Sequence, residues 1–157
     1  MNHTFKAHVN WKASKDETTI DSKSYNRAHI VKIDNKTFDL KMSAAKMFRG
    51  DSELYNPEDL LLSALASCHM MSYLYMCSQN NIEVLSYTDN AEAILEVESS
   101  GSGHFTKATL NPIIKIKDEA KKKLALSLHE KANSLCFIAN SCNFPITHNV
   151  QVLVEDK

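Results

Sequence analysis

The stretch NPEDLLLSALASCHMMSYLYMCSQN, Asn56 to Asn80, decides the fold. From Leu60 to Cys77 nearly every residue is apolar or small, and Cys68 sits near the middle with His69 beside it. Asn56 is a favourable N-cap and Pro57 suits the first helical position. Glu58 and Asp59 follow where the helix dipole favours negative charge. The pattern predicts one helix from Asn56 to about Asn80–Asn81. An apolar run of this length is at the short limit for a membrane span. It carries Ser63, Ser67, His69 and Ser72, however, and no Lys or Arg flank that would set topology. A core helix, buried on nearly all sides, is expected instead, and no membrane partner.

Working outward, Phe5, Ala7, Val9 and Trp11 alternate with polar residues and predict a half-buried strand. Residues 12–24 are polar and predict a turn or loop. HIVKI and TFDLKM flank DNK, a hairpin turned at Asp34–Asn35. Residues 43–56 are a loop that contains Arg49. Past the helix, residues 82–98 and 104–117 predict two long strands joined by the turn at 99–103. Residues 118–135 predict an amphipathic helix capped by Asp118, with Leu124, Leu128, Ala132 and Leu135 as its apolar set. Cys136 falls where that helix ends, a loop runs to Pro145, and Val150, Val152 and Val154 alternate as a last strand. This order predicts an α+β fold, an antiparallel sheet packed around a long buried central helix. The 157 residues are enough for one domain, 1–157.

Charge and composition exclude several function classes. A net charge of −1 with basic residues spread along the chain leaves no footprint for nucleic acid. Lys121–Lys123 reads as a solvated helix face. The only glycines are Gly50, Gly101 and Gly103, which excludes a P-loop and a dinucleotide fingerprint. The N-terminal MNHTFKAHVNW has no signal-peptide pattern, so a cytoplasmic location with reduced thiols is expected. Four cysteines without a CxxC pair support neither a disulfide scaffold nor a structural zinc site, and no cofactor is expected.

The cysteines carry the chemistry that remains. At 100° per residue, Cys77 points away from Cys68 on one helix. Cys68 shares its face with Leu61, Ala64, Leu65, Met71, Ser72 and Tyr75. A buried cysteine usually just packs; it becomes reactive when something stabilises its thiolate. Arg49, nine residues before Glu58, is the arginine near the helix, and Arg27 is the only other in the chain. Alone, Arg49 reads as a surface charge or a partner of Asp51, and Glu58 as helix-start electrostatics. His69, turned 100° from Cys68, is packed or tunes the thiol. That angle argues against a Cys–His hydrolase and against a metal held by Cys68, His69 and a loop cysteine. His129 and His148 are expected to be structural or exposed, and Cys142 a bystander or a second resolving thiol.

NPEDLLLSALASC with Arg49 upstream, and HEKANSLCFIANSCNFP with Cys136 at a helix end, resemble the OsmC/Ohr family of osmotically inducible and organic hydroperoxide resistance proteins. The resemblance follows the element order over essentially the whole chain. It implies a single OsmC-like domain, an intertwined homodimer and a thiol peroxidase for organic hydroperoxides. Carried over, Cys68 matches the attacking cysteine and Cys136 the resolving cysteine that forms a disulfide with it. Arg49 and Glu58 match the activating pair, with Arg27 as the alternative arginine. Leu65, Met71, Ser72 and Phe137 are expected to line the substrate site, with an organic hydroperoxide and a dithiol reductant as partners. Two departures, His69 after the first cysteine and Phe137 where the family often has proline, mark a distinct branch. On one straight helix Glu58 and Cys68 are ~15 Å apart, so a second subunit or a bridging arginine must serve the site. The rival reading is a non-catalytic dimer of the same fold that binds an apolar small molecule.

Overall fold

A computed structural model of the protein describes residues 1–15 and 17–155. The chain divides into two compact units, Met1–Leu61 and Leu62–Lys157.

In the first unit, β1 (His8–Asn10), β2 (His29–Lys32) and β3 (Leu40–Met42) form an antiparallel sheet in chain order. Val9 pairs with Val31, and Ile30 with Lys41. Asn35 turns the β2–β3 hairpin with φ 64°, a left-handed conformation that asparagine tolerates well. After β3 the chain is held by backbone and side-chain bonds. Ser43 N–H donates to the Tyr55 carbonyl at 2.8 Å, and Asp51 N–H donates to Ser43 Oγ at 3.0 Å. Gly50 is obligatory between them, because a Cβ there would lie 1.6 Å from the Ala44 carbonyl oxygen.

The central helix α1 runs Pro57–Gln79. Its start is the expected one. Asn56 Oδ1 accepts from the Asp59 N–H at 2.8 Å, and Asn56 Nδ2 donates back to Asp59 Oδ2 at 2.7 Å. Its end is a left-handed Asn81, φ 51°, with Ile82 N–H donating to the Cys77 carbonyl at 3.0 Å. The expected burial on nearly all sides is not what the single chain has. Leu65, His69, Tyr73 and Cys77, one stripe at spacing four, are buried. Met71 and Tyr75 remain 59% and 58% exposed. The sequence offers no polar face, so periodicity could not say which side would be covered. Among the described residues α1 is also the one helix long and apolar enough to cross a membrane, yet this stripe is packed in protein.

The second unit corrects the two long strands. Each is broken in the middle, giving β4 (Val84–Asp89), β5 (Glu92–Val97), β6 (Gly103–Leu110) and β7 (Pro112–Ile116). β4 pairs with β7 in one sheet and β5 with β6 in another, both antiparallel. The corner is tied by Asp89 Oδ1, which accepts from the Asn111 N–H at 2.7 Å, and by Asn111 Nδ2, which donates to the Asn90 carbonyl at 2.8 Å. Nor are the sheets purely antiparallel. β8 (Ile146–His148), absent from the sequence reading, pairs parallel with β6. β9 (Gln151–Val154) pairs parallel with β7. Asp118 caps as expected, accepting from Ala120 N–H at 2.9 Å, but a 3-10 turn at Glu119–Lys121 precedes α2 (Lys122–Leu135). α2 buries Ala125, Leu128, His129 and Ala132, while Leu124 and Leu135 are the more exposed. One core cluster joins Tyr73 and Cys77 to Ile114, Ile116, Ala125 and Ala132. A second gathers Leu65, Ala108, Leu110 and Cys136.

Candidate active site

Cys136 is the residue that ends α2, with φ −74° and ψ 108°. Its side chain is fully buried, while Cys68 on α1 is half-buried and packs against the same cluster. The two cysteines are neighbours in that cluster, and both are free. Burial pushes the Cys136 thiol up to about 11, and the neighbouring Cys68 sulfur adds to the effect. The Ala139 N–H donates to Cys136 Sγ at 3.3 Å, which fixes the sulfur's direction. Packing brings them together: Leu65, Ala108, Leu110 and Cys136 form one buried cluster, and Cys68 packs against it.

Beside Cys68 opens an almost wholly apolar cavity of about 350 Å³, lined by Cys68, Met71, Ser72, Tyr75, Leu135 and Phe137. Three of the four residues expected to line it, Met71, Ser72 and Phe137, do so. Leu65 does not. It is 1% exposed and belongs to the core beneath Cys136. Three residues from Cys68, it lies ~60° round the helix, enough to turn it from cavity to core. Tyr75 and Leu135 were not in the expected lining set. Tyr75 is seven residues past Cys68 and therefore on its face; Leu135 simply precedes Cys136.

Cys142 is half-buried at the end of the 3-10 turn Ala139–Ser141, and burial raises its thiol. Cys77 is buried against Tyr73 and likewise raised. His69 and His129, both buried, cluster with the half-buried His148. His69 Nε2 and His129 Nδ1 are 3.0 Å apart, and the His69 and His148 ring centroids 4.4 Å. Burial lowers His69 to about 4 and His129 to about 3, and lowers His148 against the pull of Asp89. Among the described residues no group of three His, Cys, Asp or Glu is placed to hold a metal ion.

In the first unit the two arginines separate. Arg49 adopts φ 62°, is exposed, donates to the Ser22 carbonyl at 3.4 Å and helps to lower Asp21. Arg27 is half-buried over the Tyr25 ring, 4.1 Å from its centroid, and donates to the Tyr25 and Ser22 carbonyls at 2.8 Å each. Arg27 and Glu58, with Trp11, Tyr25, His29 and Phe48, line a cavity of about 500 Å³. Glu58 Oε2 is buried there, without a hydrogen-bond partner among the described residues. The structure thus brings Glu58 together with Arg27, not with Arg49. Sequence distance favoured Arg49, and only the fold of the β1–β2 connection carries Arg27 to the helix start.

Residues 50–151 match the OsmC-like protein family. The chain belongs to that family. It is 27% identical over 133 residues to the uncharacterized protein YmaD of Bacillus subtilis, covering 83% of this chain and 85% of that one. An OsmC-like protein of unknown function from Vibrio cholerae is 30% identical, with a TM-score of 0.86 over 95% of this chain and 99% of its own. An organic hydroperoxide resistance protein from Elizabethkingia anophelis shares the fold at 18% identity, with a TM-score of 0.67 over 99% and 100% of the two chains. The α+β fold expected of an OsmC-like protein is therefore the fold observed.

Proposed function

We propose that the protein is a cysteine-based peroxidase for apolar organic hydroperoxides. The observation that carries the reading is a half-buried Cys68 packed into the same apolar cluster as a buried Cys136, beside an apolar cavity. The Cys68 thiolate attacks the distal peroxide oxygen. The O–O bond breaks, the alkoxide leaves as the alcohol after taking a proton, and Cys68 becomes a sulfenic acid. The Cys136 thiol attacks that sulfur, water leaves, and a disulfide forms. An external dithiol, supplied in a reducing cytoplasm, returns both thiols by exchange. Cys136 is well suited to wait, since burial holds it protonated until the sulfenic acid appears beside it. The cavity favours a fatty or aromatic peroxide substituent over hydrogen peroxide, because its walls are mainly apolar.

Activation falls to Arg27 and Glu58 in this reading, the pair that shares the first unit's cavity. A guanidinium stabilises both a thiolate and the charge that develops on the departing oxygen. Since Glu58 lies ~15 Å along α1 from Cys68, a second copy of the chain supplies the pair in an intertwined homodimer. The apolar exposed side of α1 supports that assembly.

The test is consumption of cumene hydroperoxide and of hydrogen peroxide by reduced protein with dithiothreitol. The wild type turns over and prefers the organic peroxide; Cys68→Ser is inactive; Cys136→Ser forms no Cys68–Cys136 disulfide and, when dithiothreitol is left out, consumes one equivalent and stops at the sulfenic acid. Arg27→Ala lowers the rate by roughly two orders of magnitude, while Arg49→Ala does not. No turnover by a wild type with intact thiols would refute the peroxidase and leave the cavity as an apolar binding site.

A further inference from the structure

The mechanism above uses none of the three clustered histidines, yet two of them join the helices that bear the thiols. Cys68 and His69 are consecutive on α1 and diverge by 100°. Cys68 faces the cavity and Cys136, while His69 is wholly buried and meets α2. On α2, His129 and Ala132 are buried at spacings that lead directly to Cys136 at the helix end. The His69 Nε2 to His129 Nδ1 bond, 3.0 Å, is the only bond between side chains of α1 and α2 among the described residues. Tyr73 stacks on His129 with centroids 3.8 Å apart, and its hydroxyl donates to the Ala125 carbonyl at 3.2 Å. His148 on β8 closes the other face of His69. Among the described residues the outer nitrogens, His69 Nδ1 and His129 Nε2, have no hydrogen-bond partner, so the bond the two rings share is the one that orients them.

We propose that His69 and His129 are positioning residues for the thiol pair: their hydrogen bond holds α1 and the end of α2 in the register that keeps Cys68 against Cys136. The inference rests on the thiol pair of the proposed function but not on peroxide chemistry. A Cys68–Cys136 disulfide requires its two Cα atoms to sit within a narrow range. A slip of α2 along α1 opens that distance without unfolding either helix.

The experiment is the equilibrium of the full-length protein with mixtures of reduced and oxidised dithiothreitol, read as the fraction of Cys68–Cys136 disulfide by mass spectrometry of trapped thiols. Two protein thiols give up two electrons and two protons to the oxidised reagent, and the reagent leaves as its dithiol. His129→Leu, which fills the space but cannot hydrogen-bond, is expected to lower the equilibrium constant for disulfide formation at least about fivefold, the order of one lost buried bond. His129→Asn places an amide where Nδ1 was and is expected to recover most of the loss, as is His69→Gln for Nε2. Leu128→Ala, on the same buried side of α2 but without the bond, lowers the melting temperature and leaves the constant near that of the wild type. A constant unchanged in His129→Leu, or lowered equally in Leu128→Ala, would overturn the proposal. So would a wild type that forms no Cys68–Cys136 disulfide at any ratio of the reagents. Where His129→Leu does not fold, failure of both His129→Asn and His69→Gln to hold the constant near the wild-type value has the same force. Normal closure with an inert peroxide assay would sink the peroxidase alone.

Discussion

The buried histidines make a measurable demand on stability in mild acid. His69 and His129, 0% and 4% exposed, are lowered to about 4 and about 3, from an ordinary value near 6.5. In the unfolded chain both take a proton as pH falls through about 6.5; in the folded chain neither does until far lower. The unfolded state therefore binds more protons, and stability falls with pH. Between pH 7.5 and pH 5 each histidine contributes a loss of about 2 kcal/mol, so the pair costs about 4 kcal/mol, a large share of a typical domain's stability. His148, lowered by burial, acts in the same sense. Asp89, raised by burial, acts in the opposite one, since a carboxyl that protonates more easily when folded gains stability in acid. Tyr73, Tyr87 and Cys77, the remaining titratable groups around the cluster, are all raised by burial and stay neutral across this range. The assay is urea unfolding at several pH values, followed by the helical circular-dichroism signal. The midpoint should fall steeply below about pH 6.5 in the wild type. His129→Asn, with one titrating ring fewer, should lose about half of that pH dependence. A midpoint flat from pH 7.5 to pH 5, or an unchanged slope in His129→Asn, would refute the reasoning.

Three simpler perturbations probe the scaffold. Asn56→Ala removes both bonds of the α1 cap and should destabilise by about 1 kcal/mol in thermal melts, with serine at the same position recovering most of it. Leu65→Ala leaves a cavity under Cys136 and should cost about 2–5 kcal/mol in denaturant titrations while the lining of the Cys68 cavity stays intact. Gly50→Ala forces the Ala44 carbonyl aside and should loosen the loop before α1, read as faster backbone amide exchange in residues 43–55 than in β4–β9.

Much of this site can be read in the sequence because its determinants are local. The cap at Asn56 and Pro57, the run of α1 and the position of Cys136 at a helix end each follow from residues within one or two turns. Met71, Ser72 and Phe137 follow from helical spacing or from adjacency to a cysteine. What escaped depends on packing between distant segments. The breaks at Asn90–Ala91 and at Asn111 interrupt strands whose alternation continues across them; Pro112, which lacks an N–H, was the one local sign. The parallel partners β8 and β9 are chosen by the sheets they join, not by their own residues. In α2, Leu128 and Ala132 are buried as expected, but Ala125 and His129, which carry little hydrophobic signal, are buried in place of Leu124 and Leu135. Arg27 comes to line the same cavity as Glu58 only through the fold of the chain between β1 and β2.

The parallel pairings have a consequence for how the thiols come to meet. α1 is local structure and can form as soon as its own residues are free, so Cys68 is displayed early. Cys136 lies between β7 and β8, in the segment whose ends are secured only when β8 joins β6 and β9 joins β7. Such long-range parallel closures carry the entropy of a long loop and come late in folding. A newly made chain thus passes through a period in which Cys68 has no partner, and an oxidant met then can drive it past the sulfenic state with nothing beside it to form the disulfide.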